Sequence, residues 1–177
     1  MKRILFTALL LVIGWPALAQ ESKPLPGIPL ENGQVVYRQS YQVPDMARVE
    51  IFRRARRWWV DNFVSAKDAL QIQDETTGEL VGKSLAVVTA PAPKKIDEIR
   101  SLLNYTLAID IFEGGYKVKV SDFSLQRSLT GLTSERETLQ EYKRFPEKNR
   151  LRVIESVDAH VKSVLASIHE YVLTQKQ

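Results

Sequence analysis

Residues able to do chemistry are few in this 177-residue chain, which has two histidines and no cysteine. His160 and His169 fall nine positions apart in a segment with helical periodicity. Nine steps of about 100° place them on opposite sides of a helix, so they cannot share a metal ion or relay a proton. Ser156 precedes His160 by four residues, a spacing at which side chains can meet on a helix. A nucleophile and base would also need an orienting third group and an oxyanion pocket, and the neighbouring sequence supplies neither. Both histidines therefore read as boundary residues flanking an apolar stripe. Absence of cysteine excludes thiol catalysis, thiolate metal sites and iron–sulfur clusters. The glycines do not form a phosphate-binding pattern at a strand-to-helix junction. No metal, cofactor or enzymatic activity is expected.

Charge is concentrated locally rather than overall. The formal net charge is +4, and Lys2 and Arg3 contribute two of those charges from a segment expected to be removed. Such a balance does not predict nucleic-acid binding. Arg53, Arg56 and Arg57 lie within one turn of each other and are followed at once by Trp58 and Trp59. Guanidinium forks of this kind can hold lipid phosphate or an acidic glycan. The plainer reading is the solvent face of an amphipathic helix, with Glu50 four residues before Arg54 as a local partner.

These side chains must be positioned by regular elements. Val35, Tyr37, Gln39, Tyr41 and Val43 alternate with Val36, Arg38, Ser40 and Gln42, the period of a half-buried strand that Pro44 and Asp45 end. A helix to about Phe63 follows, with Val49, Phe52, Trp59 and Phe63 as its apolar stripe, widened by Ala55 and Trp58. Trp59 should face the sheet, and Trp58 should pack at its edge against the C-terminal helix or a loop. Four strands in hairpin order come next. The first, Ala69 to Asp74, puts Leu70 and Ile72 on one face and Gln71 and Gln73 on the other. Thr76-Thr77-Gly78 turns the chain into Leu80 to Thr89, whose facing is ambiguous because both registers carry apolar residues. Leu103 to Phe112 places Tyr105, Leu107, Ile109 and Ile111 opposite Thr106, Ala108 and Asp110. Gly114-Gly115 is a hairpin signal, and Tyr116, Val118 and Val120 then alternate with Lys117, Lys119 and Ser121. Ser134 to Glu137 has the spacing of a capping box opening a short helix that ends near Phe145-Pro146. A last helix from about Asn149 carries a one-sided stripe from Val153 to Val172.

The expected fold is an α+β two-layer sandwich: five antiparallel strands in the order β-α-β-β-β-β-α, both long helices on one face and the other face open. Arg38, Ser40, Gln42, Gln71, Gln73, Thr106, Asp110, Lys117, Lys119 and Ser121 would line that open face. From these, Arg38, Gln71, Gln73, Asp110, Lys117 and Lys119 form the candidate binding set, with Arg53, Arg56 and Arg57 as the alternative. Asp110 reads as a cross-strand charge partner of Lys117 or Lys119.

Three stretches carry a family resemblance. They are Ala55-Arg56-Arg57-Trp58 with Asn62-Phe63, the hairpin Ile72 to Gly82 turning at Thr77-Gly78, and Tyr105-Thr106-Leu107 through Gly115-Tyr116 to Asp122-Phe123. Over roughly residues 35–125 the chain resembles the exported domain of Bacteroidetes described as a domain of unknown function with a TBP-like fold. The resemblance implies a curved sheet and export. It brings no activity with it, and TBP-like names a shape rather than DNA binding.

Destination is written at the N-terminus. Lys2 and Arg3 precede the apolar run Ile4 to Ile13, and Ala17-Leu18-Ala19 has the small-x-small form of a cleavage site before Gln20. The run is shorter than the ~20 residues of a spanning helix, and no cysteine stands at the cleavage point, which excludes a lipoprotein anchor. Residues 1–19 read as a signal peptide, 20–32 as a flexible Pro-rich tether and 33–177 as a single domain of ordinary size. The chain is thus expected to be an exported, non-enzymatic binding or assembly module, periplasmic or extracellular. Its partner would be an envelope protein, a peptide or a glycan, met on the open sheet face. The alternatives are a peripheral envelope protein held by the arginine helix, and an enzyme acting on a polar substrate. Intact-mass measurement of the exported protein should find Gln20, or its cyclised form, at the N-terminus. Retention of Met1 in a membrane fraction would show that the segment is an anchor.

Overall fold

A computed structural model describes residues 27–63, 70–92, 98–129, 132–133, 136–139 and 147–174. Residues 1–26, with the expected signal peptide and most of the tether, lie outside the described residues, as does 140–146. The chain is ordered earlier than Gly33. β1 (Leu30–Glu31) pairs with β2 (Gln34–Val35), Ile28 is buried, and the Val36 amide donates to the Pro29 carbonyl. The tether therefore ends before Ile28, because its last residues have an apolar side chain and backbone groups to satisfy.

Five principal strands form one antiparallel sheet: β3 (Tyr37–Gln42), β4 (Leu70–Asp74), β5 (Glu79–Pro91), β6 (Glu98–Phe112) and β7 (Gly115–Leu129), in the spatial order β3-β7-β6-β5-β4. Two-residue strands β8 (Leu132–Thr133) and β9 (Glu137–Thr138) add to β7. The capping box and short helix expected from Ser134 are corrected at Glu137, while Ser134 itself lies outside the described residues. Glu137 and Thr138 pair with Leu125 and Ser124, because β7 runs on past Phe123 and offers them a ladder. Strands β3 and β4 are the two edges, so the chain between them must cross a whole face of the sheet. α1 (Arg48–Asn62) makes that crossing, and α2 (Glu147–Thr174) lies on the same face.

Register resolves what alternation left open. In β5, Leu80, Ser84, Val88 and Ala90 are buried under the helices, whereas Leu85 and Val87 are each 60% exposed on the far side. In β6, Leu103, Tyr105, Leu107, Ile109 and Ile111 face the helices. β4 departs from the expected facing. A bulge between Leu70 and Ile72 leaves Leu70 opposite Gly82 and Ile72 opposite Val81. The extra residue turns Ile72 outward and puts Gln73, opposite Leu80, on the covered side. A second irregularity seats Ser121 opposite Thr106 and Ser124 opposite Asn104, with Asp122 at φ 56° absorbing the extra residue.

The helices are fastened by their aromatic residues. Ile51, Phe52, Ala55, Trp58 and Trp59 are buried on α1, with Trp59 fully so, and Trp58 reaches α2, where its indole N–H donates to Ser167 at 3.0 Å. Val49, expected in the stripe, is 58% exposed, and Ile51 takes its place because the buried sector is centred one residue further round. On α2 the expected stripe from Val153 to Val172 is buried, apart from the partly buried Val164.

Arg48 clamps the β4–β5 turn to the end of β6 by donating to the carbonyls of Thr76 (2.7 Å) and Ile111 (3.2 Å). Gly78, at φ 81°, lies between these groups, and a Cβ there would stand 2.3 Å from the Ile111 oxygen. Both the left-handed backbone and the close approach require glycine. Gly78→Ala should therefore lower unfolding free energy by about 2 kcal/mol or more, read from denaturant midpoints. A loss below about 0.5 kcal/mol would show that the turn moves freely.

Candidate functional site

The uncovered sheet face is built from cross-strand rows. One row runs Ser40, Lys117, Asp110 and Glu79; the next runs Arg38, Lys119, Ala108 and Val81. These rows bring four of the six candidates together, since Arg38, Asp110, Lys117 and Lys119 line one cleft of about 270 Å³ with Ser40. Gln71 and Gln73 are not part of it. They sit on the far edge strand β4, two strand spacings (about 10 Å) from Asp110 on β6 and four (about 19 Å) from Arg38 on β3. Gln71 is at the bulge, and Gln73 lies on the covered side, accepting a hydrogen bond from Arg56 at 2.9 Å.

Within the cleft the charges are unequal. Arg38 donates from Nε to both carboxylate oxygens of Glu31, at 2.9 and 3.1 Å, so β1 supplies its counter-ion. Asp110 stands opposite Lys117 in register, as expected, but the two form no ion pair. Lys117 instead holds its ammonium 5.8 Å from the centre of the Phe112 ring. Lys119 likewise has no carboxylate partner among the described residues. Two lysine charges thus face solvent over a concave, hydrogen-bonding floor. Towards β5 and β4 the same face changes character, with Ile72, opposite Val81, 41% exposed and Leu85 and Val87 exposed further along β5. The expected polar surface is therefore divided into a basic end and a mixed end where aliphatic side chains stand with the exposed Lys83, because the β4 bulge and the settled β5 register bring them out.

The alternative arginine set is occupied by its neighbours. Arg53 and Arg54 both bond Glu50, whose carboxyl is held down at about 2 by Arg53 and then Arg54. Arg54 also donates to the Val172 carbonyl at 2.7 Å, tying α1 to the end of α2. Arg57 pairs with Asp61, which also accepts from the Tyr171 hydroxyl. Arg56 is turned to Gln73.

Both histidines are engaged by the sheet. His160 Nε2 lies 3.3 Å from the Tyr105 hydroxyl, and His169 Nδ1 lies 3.0 Å from that of Tyr116. Burial lowers the proton affinity of His160 and pushes the Tyr105 phenol up to about 12. The Ser156 hydroxyl is directed at the carbonyls of Thr89 and Arg152, at 3.1 and 3.0 Å, rather than at His160. Sequence reasoning did not single out these tyrosine partners. Their signal was present, since Tyr37, Tyr41, Tyr105 and Tyr116 all fall on the strand positions that face the core.

Comparison with known proteins agrees with this architecture. The family described as a "Domain of unknown function (DUF4468) with TBP-like fold" matches residues 37–126, just over half of the chain. A TBP-like protein from Parabacteroides distasonis superposes with a TM-score of 0.69 at 14% identity, over 84% of this chain and 99% of its own. A DUF4468 family protein from Bacteroides ovatus gives 0.61 at 17% identity, over 81% and 92%. At such identities the likeness concerns the fold alone. No curated protein matches the chain in sequence.

His160 carries a test of this site's electrostatics. The unfolded chain binds a proton that the buried imidazole resists, so stability is full above the ordinary imidazole range and falls as pH drops below about 6.5. His160→Gln should flatten the denaturant midpoint between roughly pH 6.5 and 5, before carboxylates titrate. An unchanged slope in the variant would show that His160 is not its source. By family match and by fold, the chain belongs to the DUF4468 family of TBP-like domains.

Proposed function

We propose that the chain is an exported, non-enzymatic binding module whose partner docks on the basic end of the uncovered sheet face. The observation that carries this is the pair Lys117 and Lys119, unmatched by carboxylates over a cleft of about 270 Å³. A single strand, β7, projecting two such ammonium groups, with Ser40 and Arg38 of β3 alongside, suits a ligand bearing carboxylates and hydroxyls. An acidic peptide or glycan of the cell envelope has that chemistry. Export rests on the charged, apolar and small-residue regions of residues 1–19. No described helix is long and apolar enough to cross a membrane. The non-enzymatic reading is supported by the engagement of both imidazoles with tyrosines and of Ser156 with backbone carbonyls. The arginine helix is the weaker candidate surface, because Glu50 and Asp61 already neutralise part of it.

The test uses an oligoglutamate peptide titrated calorimetrically against the chain at low salt, where surface electrostatics are least screened. Lys117→Gln with Lys119→Gln should weaken binding at least about tenfold, roughly 1.4 kcal/mol. Stability should change by less than about 0.5 kcal/mol, as at ordinary surface positions. Glutamine is chosen because Asp110 stands opposite Lys117, where a new carboxylate would be repelled. Failure of the wild-type chain to bind the peptide would sink the reading. Binding that survives in the lysine variant but is lost on replacing Arg53, Arg56 and Arg57 would assign the function to the helix face.

A further inference from the structure

On the opposite side of the sheet, a second cavity of about 270 Å³ opens between the end of α1, the middle of α2 and strands β5 and β6. It differs from the other clefts in charge. Three other grooves carry Arg48, Glu75 and Glu113; Arg53, Arg56 and Glu75; and Arg38, Asp110, Lys117 and Lys119. Among the described residues this one is lined by no aspartate, glutamate, lysine or arginine, although 26% of the chain is charged. Its single titratable base, His160, is held neutral near pH 7 by burial. A charged ligand entering here would lose hydration and gain no counter-ion, so the site selects against it.

The lining is nonetheless polar in a specific way. Asn62 donates from Nδ2 to the Trp58 carbonyl, which leaves its Oδ1 as an acceptor. Ser167 accepts from the Trp58 indole, which leaves its own proton to give. The Ser163 hydroxyl is exposed and can do both. Donors and acceptors of this kind match ligand hydroxyls, which also donate and accept. Behind them the buried Trp58 and Tyr105 close the base, and Phe63, half-buried and edge to face with Trp58 at 5.7 Å, is the aromatic ring open to the cavity. An exposed aromatic ring of this kind suits the apolar C–H face of a saturated ring. The Tyr105–His160 contact, at 3.3 Å, is longer than the usual hydroxyl hydrogen bond, so a ligand hydroxyl can compete for it. The volume lies just under the range for drug-sized ligands, which is room for one ring rather than a chain.

We infer that this cavity binds a single uncharged, hydroxyl-bearing ring, a neutral monosaccharide unit, between Trp58, Phe63, Asn62, Ser163 and Ser167. The site is separate from the basic cleft and does not depend on the function proposed for it.

The probes are methyl glucoside, methyl galactoside and N-acetylglucosamine, with glucuronate and glucosamine as charged counterparts, followed by ligand-observed saturation-transfer NMR on the full chain. At least one neutral sugar should bind with Kd of about 1 mM or tighter, and the charged sugars at least about tenfold more weakly. Ser163→Phe fills the cavity from an exposed position and should abolish the signal with an unchanged unfolding midpoint. Asn62→Leu, which removes the acceptor without filling the space, should weaken binding at least about tenfold. Lys117→Gln with Lys119→Gln should leave it intact. Absence of binding by all three neutral sugars at about 10 mM would overturn the inference. So would equal binding of glucuronate, or binding that survives both Ser163→Phe and Asn62→Leu.

Discussion

Four phenols determine where α2 can lie. Tyr37, Tyr41, Tyr105 and Tyr116 project from the covered face of β3, β6 and β7, and each ends on α2. Tyr37 donates to Asp158, Tyr41 donates to the Leu165 carbonyl, Tyr105 meets His160 and Tyr116 meets His169. These points span 11 residue steps of helix, about 16 Å. Each phenol brings a polar group into a largely apolar layer, where an unmatched hydroxyl would be costly. An apolar stripe alone lets a helix slide or rotate over a sheet; four polar contacts of fixed position do not. Tyr41, Tyr116 and His169 also stack on one another, which adds a rigid aromatic block under the C-terminal half of the helix.

Fixing α2 in turn fixes α1. Trp58 can reach Ser167, and Arg54 the Val172 carbonyl, only where α2 already passes. Arg48, at the other end of α1, then holds the β4–β5 turn against β6. The same contacts engage both imidazoles with tyrosines and Ser156 with backbone carbonyls. The two proposed surfaces lie where the packing leaves side chains free: the lysines of the bare face, and the recess where α1 ends beside α2.

The two proposed surfaces would select different ligands for electrostatic reasons. On the open face, Lys117 and Lys119 sit in solvent, where attraction is long-ranged and weakened by salt. In the recess, a lining with no formal charge among the described residues would make hydrogen-bond matching and ring contact the basis of selection. A single domain can hold both because the sheet separates them, one on each side.

Much of this was readable from residue order. Alternation along 37–42, 103–112 and 116–120 placed three strands and their buried sides, because period-two patterning is a local property of one strand; Val36 and Ser121, expected on the open side, are buried where β2 gives way to β3 and where β7 bulges. The α2 stripe was equally legible, and so was the contact of Trp58 with the C-terminal helix. Four features were not. Gln73 changed face because a bulge at Gln71 depends on how β4 pairs with β5, not on β4 itself. Glu137 became a strand residue because β7 was long enough to receive it. Asp110 and Lys117 stand opposite one another without bonding, since side-chain torsions and the Phe112 ring decide where an ammonium rests. Leu85 and Val87 point outward because pairing with β6 chose between two registers that were equally apolar in sequence. Composition and local periodicity thus determined most of the elements and the class of fold, which depend on near neighbours along the chain. Register, the division of the open face and the uncharged recess were decided only in three dimensions, because each is set by residues on separate elements that meet only once the chain has folded.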